Sequence, residues 1–270
     1  MASPDDRLRR PTPHRPPCRR PRPRRHAHHA ARRVDRQRRP RHGFRGRLRH
    51  RGASARLLAE HTSDIGFLGE ENGGIEVRKS LVWALDPVDG TVNFVHGSPL
   101  CAVSLGLLTG RRPVLGVIDL PFLGCRYSAA EGNGAHANGE PIHASTTTRI
   151  SEAVVAMGDY AVGEESEEKN RDRFALTRRL ATNMQRVRMH GSAAIDLAWL
   201  AEGRVDAVVM LANKPWDTAA GVIIAREAGA VVVDRDGAPH SVDAKATVAA
   251  NPEILPSLLE LLNDEMAREG

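Results

Sequence analysis

The sequence predicts an α+β fold built in layers, and three observations carry that prediction. From about Ala53 onward, short apolar runs bounded by Gly, Pro or charge recur and read as buried strands. Longer stretches with apolar residues at helical spacing lie between them. The two kinds of segment are mixed without strict alternation, unlike a repeated βαβ unit.

Taken in order, Ala55–Glu60 has the texture of a helix end, and Ile65–Leu68 and Leu81–Leu85 read as strands. Ala102–Leu108, Val114–Leu120 and Gly124–Ala130 follow at short spacing, with turns at Gly110–Pro113 and at Pro121, which predicts an antiparallel meander. Ala153–Met157 is a further strand. Glu165–Asn183 is helical in pattern, with Phe174, Leu176 and Leu180 on its buried side. Ser192–Ala201 is a short apolar helix, Val205–Leu211 a strand, and Thr218–Ala228 a small-residue helix stopped by Gly229. Val231–Val233 and Thr247–Ala250 are strands, and Pro252–Arg268 is a closing helix.

The 270 residues carry a formal net charge of +6, which averages two unlike parts. Residues 1–56 contain 20 Arg and 3 acids, a net of +17, whereas the remainder carries a net of −11. Residues 1–50 also hold 8 of the 17 prolines and 6 of the 12 histidines, with few large apolar side chains. Such a segment buries too little surface to offset its ordering entropy, so residues 1–52 are expected to be a disordered arm and 53–270 the folded domain. That domain divides at about residue 150 into a meander part (53–150) and a C-terminal α/β part (151–270). No apolar run approaches the roughly 18 residues that span a bilayer, and no apolar stretch follows the basic N-terminus as in a secretory signal. Cys18, Cys101 and Cys125 are too widely spaced for a disulfide framework or a Cys-rich zinc site, and with the missing signal they suggest a cytoplasmic protein.

Three acidic signals follow strands. They are Gly69-Glu70-Glu71, Asp86-Pro87-Val88-Asp89-Gly90-Thr91, and Pro215-Trp216-Asp217 at the opening of a helix. Ligand sites of open sheets lie at such strand ends. Pro87 lacks an N–H and fixes φ, so the chain is expected to turn there and bring Asp86 and Asp89 toward one point. Converging carboxylates repel unless a cation lies between them, and an all-oxygen donor set favours Mg²⁺ over Zn²⁺. Gly90 permits close approach of a ligand to the backbone, and Thr91 offers a hydroxyl and an N–H suited to a phosphate oxygen.

In this order, Gly69–Glu71, Asp86–Phe94, Gly191–Ala194 and Pro215–Gly221 resemble the motifs of the inositol monophosphatase family of Mg²⁺-dependent phosphatases. Gly132–Ala135 with Asn138-Gly139 resembles the hairpin that follows that family's meander. The resemblance covers roughly residues 55–265. It implies the layered αβαβα sandwich shared with fructose-1,6-bisphosphatases, and hydrolysis of a small phosphorylated alcohol such as inositol 1-phosphate. Histidinol phosphate or a nucleotide 3′-phosphate is the alternative on the same scaffold. Glu70, Asp86 and the Val88 carbonyl would hold one Mg²⁺, and Asp86, Asp89 and Asp217 a second, with Asp86 bridging. Glu70 and Thr91 would orient and deprotonate the attacking water. The N–H groups of Gly90 and Thr91 would hold the phosphate. Gly191, Ser192 and Ala193 would contact the alcohol, with Asp89 and Asp217 also against the substrate. Members of the family are commonly homodimers.

The sequence departs from that family in two places. Met210-Leu211-Ala212-Asn213-Lys214 stands where a large polar or acidic substrate contact is usual, which questions inositol as the alcohol. The N-terminus lacks the two long helices and the Lys- and Asp-bearing loop expected near the phosphate and a third metal ion. An Arg/Pro/His/Ala/Gly-rich stretch is what a GC-rich coding region gives in a shifted frame, so residues 1–52 read as an out-of-frame translation. The competing reading is a genuine basic arm that touches nucleic acid non-specifically on a catalytically weak protein.

Overall fold

The computed structural model describes residues 56–58, 60–70 and 80–263. The expected arm over 1–52, the acid Glu71 and the last turn and a half of the closing helix lie outside the described residues.

Seven strands form one sheet in sequence order: β1 (Gly66–Gly69), β2 (Leu81–Asp89), β3 (Ala102–Thr109), β4 (Arg112–Leu120), β5 (Cys125–Ala130), β6 (Ala135–Ala137) and β7 (Glu140–Ile142). β1 and β2 are parallel and the other neighbours antiparallel, so the expected meander is present. The β6–β7 turn uses Asn138 and Gly139, both at positive φ, as a two-residue hairpin with a right-handed strand twist requires.

Five strands form the second sheet in the order β11 (Val231–Val233), β12 (Thr247–Ala250), β10 (Ala207–Met210), β8 (Val154–Met157), β9 (Arg186–Arg188). β10, β8 and β9 are mutually parallel and deliver their C-terminal ends to the same edge. β10 and β12 are buried along their whole length, as continuous apolar runs covered on both faces should be.

Helices α1 (Thr91–Val95), α2 (Ser166–Asn183), α3 (Ala193–Ala201), α4 (Pro215–Glu227) and α5 (Leu255–Asn263), a 3₁₀ turn at Ile150–Glu152 and helical residues at 56–58 and 60–61, where a helix end was expected, complete the described elements. α3 and α4 lie between the sheets. Ile195 and Ile224 pack with Ile118, Leu120 and Tyr127 of the large sheet, and Leu197 and Val222 with Ala156 and Val208 of the small one. α2 and α5 cover the other face of the small sheet, where Leu176, Leu180 and Leu258 meet Val155, Val209 and Val248. The described layers are therefore sheet, helices, sheet, helices, and the chain has the α+β sandwich architecture.

Glycines set the spacing between α4 and its neighbours. A Cβ on Gly116 would stand 2.5 Å from the Ala220 carbonyl oxygen, one on Gly106 2.9 Å from the Ala219 Cβ, and one on Gly221 2.6 Å from the Leu197 Cβ. Only hydrogen fits at these contacts.

Two local expectations are corrected. The chain does not turn out of the sheet at Pro87. β2 runs on to Asp89, with Asp86 opposite Ser104 and Asp89 opposite Ala102, so one extra residue is taken up as a bulge. Phe174 is 55% exposed rather than buried, and its ring packs at a tilt against Tyr160 with centroids 4.8 Å apart.

Candidate active site

The site is assembled from strand ends. Because β1 and β2 are parallel with Gly69 opposite Leu85, the next residue of each, Glu70 and Asp86, leaves the register side by side. Asp86 is buried and its Oδ1 accepts the Val88 N–H at 2.8 Å, an Asx turn that closes over Pro87. The Thr91 hydroxyl donates to the Val88 carbonyl at 3.0 Å. Gly90 adopts φ +79°, and a Cβ there would lie 2.8 Å from the Leu100 carbonyl oxygen, so both the turn into α1 and the close packing require glycine.

Asp89 points across the molecule to the start of α3. Its Oδ2 accepts the Ser192 hydroxyl proton and the Ala194 N–H at 2.9 Å. Ser192 also caps α3 by accepting the Ile195 N–H at 3.2 Å. Burial raises the Asp89 carboxyl to about 7 against the pull of those two hydrogen bonds, with the charges of Asp217 and Asp196 pushing the same way as burial. Asp217 lies in the first turn of α4, where its Oδ2 accepts the Lys214 N–H at 3.1 Å. Burial raises it to about 6 against the pull of that N–H, and Asp86 and Glu70 push it further up.

Sequence reasoning gave no task to Asn93. Its amide nitrogen donates to the carbonyls of Leu100 at 2.9 Å and His190 at 2.6 Å, with Gly191 at 3.3 Å, and so ties the loop after β2 to the loop before α3. The only signal was its place in the Asp86–Phe94 motif. His190, just before the Gly191–Ala194 motif, is a brace. Its Nδ1 lies 2.6 Å from Asp196 Oδ1, and its ring packs edge-on to Trp199 at 4.7 Å. Burial, followed by the Asp89 charge, pushes the Cys101 thiol up, which leaves it an inert core side chain.

A cleft of about 150 Å³ opens at this edge. Of the sequence-predicted residues, Asp89, Gly191, Ser192, Ala193 and Asp217 line it. Glu70 and Asp86 flank Asp217 through their charges, while Val88, Gly90 and Thr91 form the loop beside Asp89. Among the described residues no three Asp, Glu, His or Cys side chains are gathered into a finished ion cage. The bulge keeps β2 extended, and Asp89 Oδ2 is turned to Ser192 and Ala194. The donor set still suits a hard divalent ion, since it is all oxygen and its carboxylates repel one another.

The profile of the inositol monophosphatase family matches residues 51–267. The chain belongs to the inositol monophosphatase family. It is 38% identical over 207 residues to the inositol-1-monophosphatase ImpA of Mycolicibacterium smegmatis, spanning 77% of this chain and 75% of that protein. It is 34% identical over 209 residues to the fructose-1,6-bisphosphatase/inositol-1-monophosphatase of Thermotoga maritima, with 77% of each covered. The solved inositol monophosphatase of Anabaena (Nostoc) sp. PCC 7120 superposes with a TM-score of 0.75 at 34% identity, covering 80% of this chain and 86% of that one. As an inositol monophosphatase family member this chain is a phosphatase, of a metal-dependent family that acts on small phosphorylated substrates. No helix among the described residues is long and apolar enough to cross a membrane.

Proposed function

We propose that this phosphatase hydrolyses the phosphomonoester of a small alcohol with Mg²⁺ held by its strand-end carboxylates. The observation that carries the reading is that Asp89 and Asp217 line the same cleft as Gly191, Ser192 and Ala193. Acids suited to cations thereby face a helix start suited to the substrate. Glu70, Asp86, the Val88 carbonyl, Asp89 and Asp217 are the groups that would hold Mg²⁺, which when bound supplies charge neutralisation for the attacking and leaving oxygens.

The protein's own groups do the rest. The Thr91 hydroxyl donates to the Val88 carbonyl, and its oxygen accepts a hydrogen bond from the attacking water. Glu70, exposed at the end of β1, accepts the proton that the water gives up. The backbone N–H groups of Gly90 and Thr91 hold the phosphate, which can approach because Gly90 has no Cβ. Asn93 keeps that loop in register with Gly191–Ala193, against which the alcohol rests.

The test is inorganic phosphate release from a panel of phosphomonoesters, with and without Mg²⁺. Release that requires Mg²⁺ is expected. A panel without Mg²⁺-dependent release overturns the reading.

A further inference from the structure

Both polar atoms of the Asn170 amide are spent on a single residue. Its Oδ1 accepts the Ala161 N–H at 2.7 Å, and its Nδ2 donates to the Ala161 carbonyl at 2.8 Å. Asn170 is buried in the second turn of α2, where low dielectric strengthens this clasp. Ala161 belongs to the loop that leaves β8. After Met157 the Gly158 N–H still donates to the Val209 carbonyl at 3.0 Å, and the chain then departs from the sheet. Gly158 and Asp159 line the cleft. The Asp159 carboxylate stands 3.4 Å from where a Cβ on Gly191 would lie, so the loop is the rim that faces the start of α3.

Among the described residues little else holds that rim. The Tyr160 ring lies against the half-exposed Phe174, and its hydroxyl is 2.9 Å from the Thr177 hydroxyl. Beyond Ala161, Val162 is 91% exposed, Gly163 and Glu165 take positive φ, and Glu165 gives α2 no side-chain cap. A loop with so few buried contacts opens at small cost once its clasp is gone. None of the groups that would hold Mg²⁺ lies on it, so its opening acts on the alcohol side of the cleft. The affinity of such a site falls by the fraction of time that the competent form is populated. We propose that Asn170 is a positioning residue: by clasping Ala161 it keeps Gly158 and Asp159 against Gly191–Ala193 and fixes the gap into which the alcohol fits. The proposal rests on the phosphatase reading above and adds the residue that shapes one side of that same site.

Asn170→Ala in the full chain removes both bonds and keeps a good helix former. Phosphate release is measured with Mg²⁺ from inositol 1-phosphate, or from whichever phosphomonoester of the panel the parent cleaves fastest. KM should rise about tenfold, as for a rim closed one time in ten, with kcat within twofold of the parent. Two readouts are independent of turnover. The rise in thermal midpoint on adding Mg²⁺ should be unchanged, and chymotrypsin should cut after Tyr160 faster than in the parent, with the cut located by mass spectrometry. Asn170→Asp turns an oxygen on the Ala161 carbonyl, so it should raise KM in the same way, and it replaces the alanine variant if that does not fold. A KM within twofold of the parent overturns the proposal, whether or not the loop is cut faster. So does a fall in kcat at unchanged KM. Failure of both variants to fold also overturns it, since Asn170 would then serve the fold and not the cleft. A parent that releases no phosphate from any member of the panel overturns the phosphatase reading, and this proposal with it.

Discussion

The hydroxyl of Ser192 donates to the carboxylate of Asp89, 103 positions earlier in the chain, and so joins the bulge of β2 to the first turn of α3. The Ala194 N–H adds a second bond to the same oxygen. One carboxylate thus belongs to both halves of the molecule.

Asp89→Asn tests what that carboxylate does. An amide keeps an oxygen that can accept from Ser192 and Ala194, so the fold should persist. The negative charge is lost. We expect kcat/KM to fall by about a hundredfold or more, about 2.7 kcal/mol of transition-state stabilisation. Activity within a few-fold of the parent, with an unchanged thermal midpoint, would reduce Asp89 to a structural link.

Metal addition should stabilise the fold. At about one hundred times its dissociation constant, an ion bound only by the native state contributes about 2.7 kcal/mol, which raises the midpoint of a chain this size by roughly 5–10 °C. Asp217→Ala should abolish the rise. Differential scanning fluorimetry with millimolar Mg²⁺ checks both, and an unresponsive parent would count against a cation site at these carboxylates.

Asn93→Ala removes the donor shared by the Leu100, His190 and Gly191 carbonyls. Loss of this half-buried donor from its acceptors costs about 1 kcal/mol. Urea denaturation should register that loss. Because the amide ties the loop after β2 to the loop before α3, kcat should drop further than the loss of folded protein explains. A variant with parental kcat would show that the loops hold their register without it.

Gly116→Ala places a methyl group against the backbone of Ala220. Helix and strand must part, at an overpacking cost of about 1–3 kcal/mol. Activity should fall as well, since Asp217 rides on the displaced helix. Unchanged stability and activity would show that the sheet-to-helix contact yields easily.

His240 sets an acid limb. It is buried, with its Nε2 2.9 Å from the Thr247 hydroxyl and its Nδ1 unpartnered. Burial lowers it from 6.5 to about 4, helped by Arg226 and opposed by Asp234. The native state therefore prefers the neutral ring. The contribution of this group is complete above pH 6.5 and is lost as pH falls toward 4. His240→Gln cannot titrate, so the stability difference between parent and variant should shrink across that window. Urea titrations at pH 7, 5.5 and 4.5 measure it, and a constant difference would refute it.

The strands of the meander and of the second sheet's core were legible because their apolar runs are bounded by glycines, prolines and charges. β9 was not, since Arg186-Val187-Arg188 is three residues long and mostly charged, and it is a strand only because β8 lies beside it. Proline signals a turn and a bulge alike, and only the pairing of Asp86 and Asp89 with β3 distinguishes them. Spacing alone places Phe174 inward, but Tyr160 offers it a partner on the surface. The acids of the candidate site were visible as motifs. Asn93 was silent because its partners are carbonyls, up to 98 positions away, and carbonyls leave no trace in a sequence.

The alanine–glycine layer around α4 acts as a ruler. The distance between the two sheets is measured in hydrogen atoms at Gly106, Gly116 and Gly221. In a library of random substitutions these positions would behave like catalytic ones, intolerant and remote from the cleft. Cleft-lining positions outside the candidate metal and substrate set, such as Leu211 and Ala212, would accept exchange far more freely. Substrate preference can drift across such a scaffold while its interior gauge stays fixed.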